Sequence, residues 1–307
     1  MPLLSPTQTA KCCILVALLL GVLQLASPPA SGQYSKRDCP SCKVWNQPQE
    51  PFKIYGNTYY VGTHGLSSIL IISPAGHVLI DGALPESAEQ IRKHITALGF
   101  RMEDVKLILN THVHFDHAGG IEELAHWSRA RVSASRWSAE VLRKGRVARD
   151  DPQYGLLPDI AKVKHVEGFD DEEVIHEGNL AITAHLTPGH TPGGTSWTWK
   201  SCEGDHCLNV VYADSLTAVS APAFRFTAHP AALKGFEKSF LFLESIPCDI
   251  LLTAHPDVSG LWSRLERRNQ GAKPDPLIDG EGCKNLAQKL SSYMRTINRP
   301  RLPTCFQ

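Results

Sequence analysis

A four-layer αββα sandwich, α/β in class and assembled from two mixed β/α halves, is the architecture this sequence predicts. Three observations lead there. Short strand-like runs cluster early and helical patterns late in each half, and the second half repeats the order of the first. The chain has 307 residues, 42% hydrophobic and 20% charged, enough apolar material for one large domain or two small ones. Its body has no apolar run of about 18 residues, which argues against a membrane-embedded function.

The elements follow in order. Residues 33–52 are polar and contain Pro40, Pro48 and Pro51, so they read as an arm preceding a domain at 53–307. Strands are expected at 53–61, 67–72 and 77–81, then an amphipathic helix at 87–98 and a compact apolar strand at 105–109. A helix near 120–127, a strand at 131–134 and a helix at 136–144 close the first half. The second half supplies strands at 161–166, 173–176, 181–185, 195–199 and 210–214. A helix near 232–245, a strand at 250–253 and a closing helix around 282–297 complete it. Trp197 and Trp199 share one strand face and are read as packing.

Residues 1–32 stand outside this scheme. Lys11 precedes the apolar stretch Cys12 to Ala26, and small residues follow through Ala30-Ser31-Gly32. A basic flank, a short apolar core and a small-residue end describe a secretory leader, cleaved between Ala26 and Gln33 with the Gly32/Gln33 bond favoured. Lys+Arg and Asp+Glu balance at 31 each, so no basic excess points to nucleic acid or an anionic membrane.

Export makes bridges the first reading of the cysteines. With the leader removed, Cys39, Cys42, Cys202, Cys207, Cys248, Cys283 and Cys305 remain. Cys202 and Cys207 flank the polar turn Glu-Gly-Asp-His between two strand-like runs, which suits a bridge across a hairpin. Cys248 and Cys283 can tie the late strand to the last helix. Cys39-Pro-Ser-Cys42 has thioredoxin-like spacing, but no strand is expected before it and no helix after it, which argues against redox chemistry. The odd count leaves one thiol free, or pairs Cys305 with one of these two.

The chemistry is concentrated in Asn110-Thr-His112-Val-His114-Phe-Asp116-His117-Ala-Gly-Gly, between a strand and a helix. In extended chain, positions i and i+2 share a side, so His112 and His114 can face one ion. The chain then turns and aims Asp116 and His117 at a neighbouring point. Imidazole and carboxylate are zinc donors, and four of them in six residues exceed what one catalytic ion with an open position takes, so two ions are expected. Further donors are offered by His190, in Thr-Pro-Gly-His-Thr-Pro-Gly-Gly, and by His255, at a strand exit. The other histidines lack such settings and are read as surface or core.

This pattern, followed by Pro-Gly-His-Thr-Pro-Gly, Ala-Asp-Ser and a strand-end His-Pro, resembles the metallo-β-lactamase superfamily. From Lys53 to about Cys283 it resembles the third subclass of class B β-lactamases, exported dizinc enzymes. The resemblance implies one zinc on His112, His114 and His190 and another on Asp116, His117 and His255. It also implies bridges Cys202–Cys207 and Cys248–Cys283. Ser215 and Thr217 match positions holding a substrate carboxylate, and Gln153 matches a pocket residue. Asp116 is expected to orient the attacking water as well as bind metal. Asp214 is left outside the ligand set, because Tyr-Ala-Asp-Ser-Leu-Thr matches the lactamase subclass rather than lactonases, where an Asp bridges the metals. Asp81, at a strand end, is a candidate acceptor for a ligand ring nitrogen. Trp45 and His64 depart from the pattern; some relatives carry a Cys in place of His64, bonded to an arm cysteine.

The expected protein is thus a periplasmic monomer conferring antibiotic resistance. It would hydrolyse small β-lactams (carbapenems, cephalosporins, penicillins) by a metal-bound hydroxide without an acyl-enzyme, with no nucleic-acid partner and no membrane attachment after leader cleavage. The absence of Ser-x-x-Lys argues against a serine β-lactamase. A lactonase or thioesterase of the same fold is the alternative, and a non-catalytic binding module is disfavoured by the intact donor set.

Overall fold

A computed structural model describes residues 39–297. The expected leader at 1–32, its cleavage site and Cys305 lie outside them. Two mixed sheets stack face to face between helical layers. The first runs β1 (Phe52–Tyr55), β2 (Thr58–Tyr60), β3 (Ile69–Ile71), β4 (His77–Ile80), β5 (Val105–Leu109), β6 (Arg131–Ser135) and β7 (Val166–Phe169), in that spatial order. It is antiparallel to β4 and parallel from β4 onward. The second joins β8 (Val174–Glu177), β9 (Leu180–Leu186), β10 (Thr195–Glu203) and β11 (His206–Ala213) antiparallel, with β12 (Ile250–Thr253) parallel to β11.

Side-chain alternation builds the layers. Leu107 and Leu109 of β5 meet Trp197, Val210, Tyr212, Ile250 and Leu252 between the sheets. Ile108 turns outward to α2 (Ala88–Ala97), α4 (Ile121–Ser128) and α5 (Arg136–Lys144), through Ile91, Leu124 and Leu142. Val211 and Leu251 turn the other way onto α6 (Pro230–Ser245) and α8 (Gly282–Ile297). Trp197 is wholly buried and Trp199 nearly so, both inside the inter-sheet core.

Four expectations are corrected. The run at 53–61 is a hairpin, not one strand: Gly56 adopts φ +51° and turns β1 onto β2. The strand expected at 161–166 begins only at Val166. Ile160 and Val163 reach the core from a coil whose amides bond to the Gly145 and Leu142 carbonyls at the end of α5. A further helix, α7 (Leu261–Asn269), has no counterpart in the sequence reading; its apolar face is narrow, carried by Leu261, Trp262 and Leu265 in an otherwise polar segment. The arm is not featureless either. Cys39 and Cys42 are bridged to each other, and one helical turn, α1 (Cys42–Trp45), follows, held by packing of Cys42 and Trp45 on the core. Bridges also join Cys202 to Cys207 across the β10–β11 hairpin, and Cys248 to Cys283.

The donors gather where strands end. β4, β5, β11 and β12 discharge Asp81, the 110–117 segment, Asp214 and His255 at one rim, where α/β sheets commonly carry their sites. The 187–194 loop between β9 and β10 brings His190. Thr195 donates its amide to Thr111 at 2.9 Å and Ser67 to Ala254 at 2.9 Å, fastening loops of one half to the other.

Candidate metal centre

The segment after β5 stays extended through His114, then turns into α3 (Phe115–Ala118), so His112 and His114 precede the turn and Asp116 and His117 lie within it. One donor atom each from His112, His114 and His190 falls within 4.8 Å of the other two, and the same holds for His112, Asp116 and His117. All five residues are buried. His255 completes a second triad. Its Nε2 lies 3.2 Å from His117 Nε2 and 3.5 Å from Asp116 Oδ2, while His117 Nε2 lies 3.4 Å from that oxygen. Donors bound to one zinc at about 2.0–2.2 Å in a tetrahedron sit roughly 3.3–3.6 Å apart, so this triangle has nearly the edges of a zinc site.

Hydrogen bonds indicate which nitrogen remains for an ion in four of the five rings; His117 Nδ1 is buried with no partner among the described residues. His112 Nδ1 is 2.6 Å from Asp214 Oδ1, leaving Nε2, which is buried with no partner among the described residues. His190 Nδ1 donates to the Thr217 carbonyl at 2.7 Å, leaving Nε2. His114 is reversed: Nε2 faces Asp151 Oδ2 at 3.1 Å, leaving Nδ1. His255 Nδ1 faces the Gly65 carbonyl at 3.2 Å, again leaving Nε2. Such acceptors fix tautomer and ring orientation at metal sites. A buried, partnerless imidazole nitrogen in a cluster of donors fits a divalent ion with nitrogen preference, for which zinc is the ordinary candidate.

Electrostatics agree. Burial and then the neighbouring imidazoles push His112 well below its usual pKa, and burial with His114 pushes His190 down to about 3. Burial alone would raise Asp116, but His117 and His255 outweigh it and hold this carboxyl well below the usual range. These groups stand deprotonated at neutral pH, as ligation requires. His117 is pushed up, Asp116 outweighing burial. Burial drives Asp214 well above the carboxylate range and raises Asp81, penalising their charged forms, a cost that a nearby cation would offset.

Asp81 is not an acceptor for a ligand ring. Its oxygens take bonds from Asn110 Nδ2 (3.0 Å), the Thr111 amide and hydroxyl (2.8 Å each) and Tyr212 OH (3.0 Å), and its φ is +64°. It anchors the start of the His-rich segment instead. Ring acceptors are Asp214, Asp151 and the backbone carbonyls of Thr217 and Gly65. Of these, Asp151 has a faint sequence signal, standing two residues before Gln153; a backbone carbonyl has none.

Gln153 Nε2 lies 3.4 Å from His114 Nδ1 and 3.3 Å from His190 Nε2, beside the first triad. Ser215 follows Asp214 and is 9% exposed. Thr217 touches His190 through its carbonyl, with its hydroxyl 3.4 Å from the same nitrogen. Asp214 meets His112 at Nδ1 through Oδ1, across the ring from Nε2, and its Oδ2 is buried with no hydrogen-bond partner among the described residues.

Comparison with known proteins follows the same line. The sequence model of the metallo-beta-lactamase superfamily matches residues 61–255. The structure of Rm3 metallo-beta-lactamase is 51% identical with a TM-score of 0.82, over 85% of this chain and 97% of that one. MEM-A1, a subclass B3 metallo-beta-lactamase isolated from a soil metagenome library, is 49% identical with a TM-score of 0.80, over 82% and 96%. A curated relative, N-acyl homoserine lactonase AttM of Agrobacterium fabrum, is 29% identical over 155 residues, 42% of this chain and 57% of that protein. The chain thus spans little more than half the length of this relative and of the metallo-hydrolase YflN of Bacillus subtilis. With a family model matching across its metal centre, and with subclass B3 enzymes sharing its sequence and fold over most of its length, this chain belongs to the metallo-β-lactamase superfamily.

Proposed function

We propose that the protein is an exported, dizinc β-lactamase that opens the β-lactam amide by water attack and confers antibiotic resistance from the periplasm. The observation that carries this reading is the pair of donor triads: His112, His114 and His190 for one ion, and Asp116, His117 and His255 for the other. Bound zinc supplies a Lewis acid for the scissile carbonyl and lowers the pKa of water to about 7.

The chain's own groups do the rest. Asp116 stays ionised and accepts a hydrogen bond from the attacking water, fixing its direction. Ser215 and Thr217 hold the substrate carboxylate, which orients the ring, and Gln153 lines the pocket beside them. No side-chain nucleophile is used. The disposition of Asp214 favours this reading over a lactonase with a bridging aspartate, since its Oδ1 is engaged at the Nδ1 side of the His112 ring. The Rm3 and MEM-A1 likenesses support the same substrate class; the AttM likeness is the reason to carry a lactone as a control.

The test is hydrolysis of a carbapenem by the purified mature protein, followed by ring absorbance with and without a chelator, beside an N-acyl homoserine lactone. Chelator-sensitive loss of the carbapenem is expected. Turnover of the lactone alone would replace this reading with the lactonase.

A further inference from the structure

His255 is held differently from the three ring donors of the first triad. His112 and His190 are tied by bonds of 2.6 and 2.7 Å, and His114 faces a buried carboxylate at 3.1 Å. At Nδ1, His255 has a neutral carbonyl, that of Gly65, at 3.2 Å, and its side chain is 25% exposed. What fixes this ring must therefore include its packing and whatever fixes Gly65.

Both lead to Trp45. Its indole lies against His255, ring centroids 5.3 Å apart and planes tilted by 52°. Its carbonyl accepts from the Gly65 amide at 3.0 Å and from the Thr63 hydroxyl at 2.6 Å. The approach is so close that a Cβ on Gly65 would come 2.5 Å from Trp45 Cα. The arm itself is anchored independently. Cys39 and Cys42 close its start, His64 donates its amide to the Gln47 carbonyl, and Asn46 Oδ1 accepts from Ser87 and Gln90 at 2.7 and 2.9 Å.

We propose that Trp45 is a positioning residue for His255, and that the bridged arm carrying it sets the affinity of the Asp116–His117–His255 half-site without touching the other. The proposal rests on the two-ion reading above. Loss of the indole frees the ring face; loss of the close approach at Gly65 moves the ring's acceptor. Groups that orient metal ligands typically contribute 10–100-fold in affinity.

The experiment is stepwise cobalt(II) binding to the chelated full-length mature protein, by competition with a chromogenic chelator and by cobalt absorption bands. The proteins are unaltered, Trp45→Ala, Trp45→Phe and Gly65→Ala. Expected is a second-step constant about tenfold or more weaker in Trp45→Ala and Gly65→Ala, with the first step unchanged and Trp45→Phe close to the unaltered protein. A general loss of structure would weaken both steps together, and that result, like no change in either, overturns the proposal. Only one cobalt bound by the unaltered protein would overturn the two-ion reading and the proposal with it. Should Trp45→Ala fail to fold, Gly65→Ala and Trp45→Phe decide the matter on the same two constants.

Discussion

At His112 one hydrogen bond decides which nitrogen is left for an ion, and Asp214 supplies it from 102 residues away in sequence. Asp214→Asn keeps the shape but can present its amide N–H to the ring. Metal affinity at the His112 half-site should fall about 10–100-fold, measured by chelator competition. His190 makes a second prediction. Its ordinary value of 6.5 falls to about 3 in the fold, so below pH 6.5 the unfolded chain takes up the proton more readily. The metal-free protein should therefore lose stability on acidification through that window, by up to about 1.4 kcal/mol per pH unit from this group. His117, raised in the fold, works in the opposite sense: its contribution is full below 6.5 and fades as pH rises through its folded value. Chelated His190→Asn should lose about 2 kcal/mol less than the unaltered protein between pH 6.5 and 4.5, by denaturant titration at each pH.

Among the elements, the loop before β10 has little room for change. A Cβ at Gly194 would stand 2.4 Å from Asp214 Oδ2 and 2.7 Å from the Thr187 carbonyl. Gly194→Ala should cost about 1–3 kcal/mol in stability and lower metal content, read by thermal melting and elemental analysis. This coupling explains what could and could not be read in advance. The gathering of these candidate donors was legible because His112, His114, Asp116 and His117 crowd into one strand-to-helix passage, and because His190 and His255 sit in punctuated loops. The sandwich was legible because its strands are short, apolar and ordered alike in both halves. Less local features were hidden. The α7 helix is held by the buried Arg264, which donates to the Leu251 carbonyl at 2.9 Å, and by Trp262 stacked on His64. Its own apolar stripe is too thin to announce it. The one-turn helix of the arm and the coil at 160–165 likewise take their form from partners distant in sequence.

At the scale of the molecule, the Cys248–Cys283 bridge ties the start of β12 to α8 and closes a separation of 35 residues. Replacing both cysteines by serine should lower stability by about 3–4 kcal/mol, seen as a shift of the denaturant midpoint with unchanged metal stoichiometry. The donors themselves are divided between the halves: His112, His114, Asp116 and His117 belong to the first, His190 and His255 to the second. An ion in either triad is therefore a removable cross-link between two layered bodies, and it adds to stability in proportion to the logarithm of its free concentration. Metal starvation would then thin the population of the protein as well as silence it: the emptied chain opens more often, and proteases clear what opens.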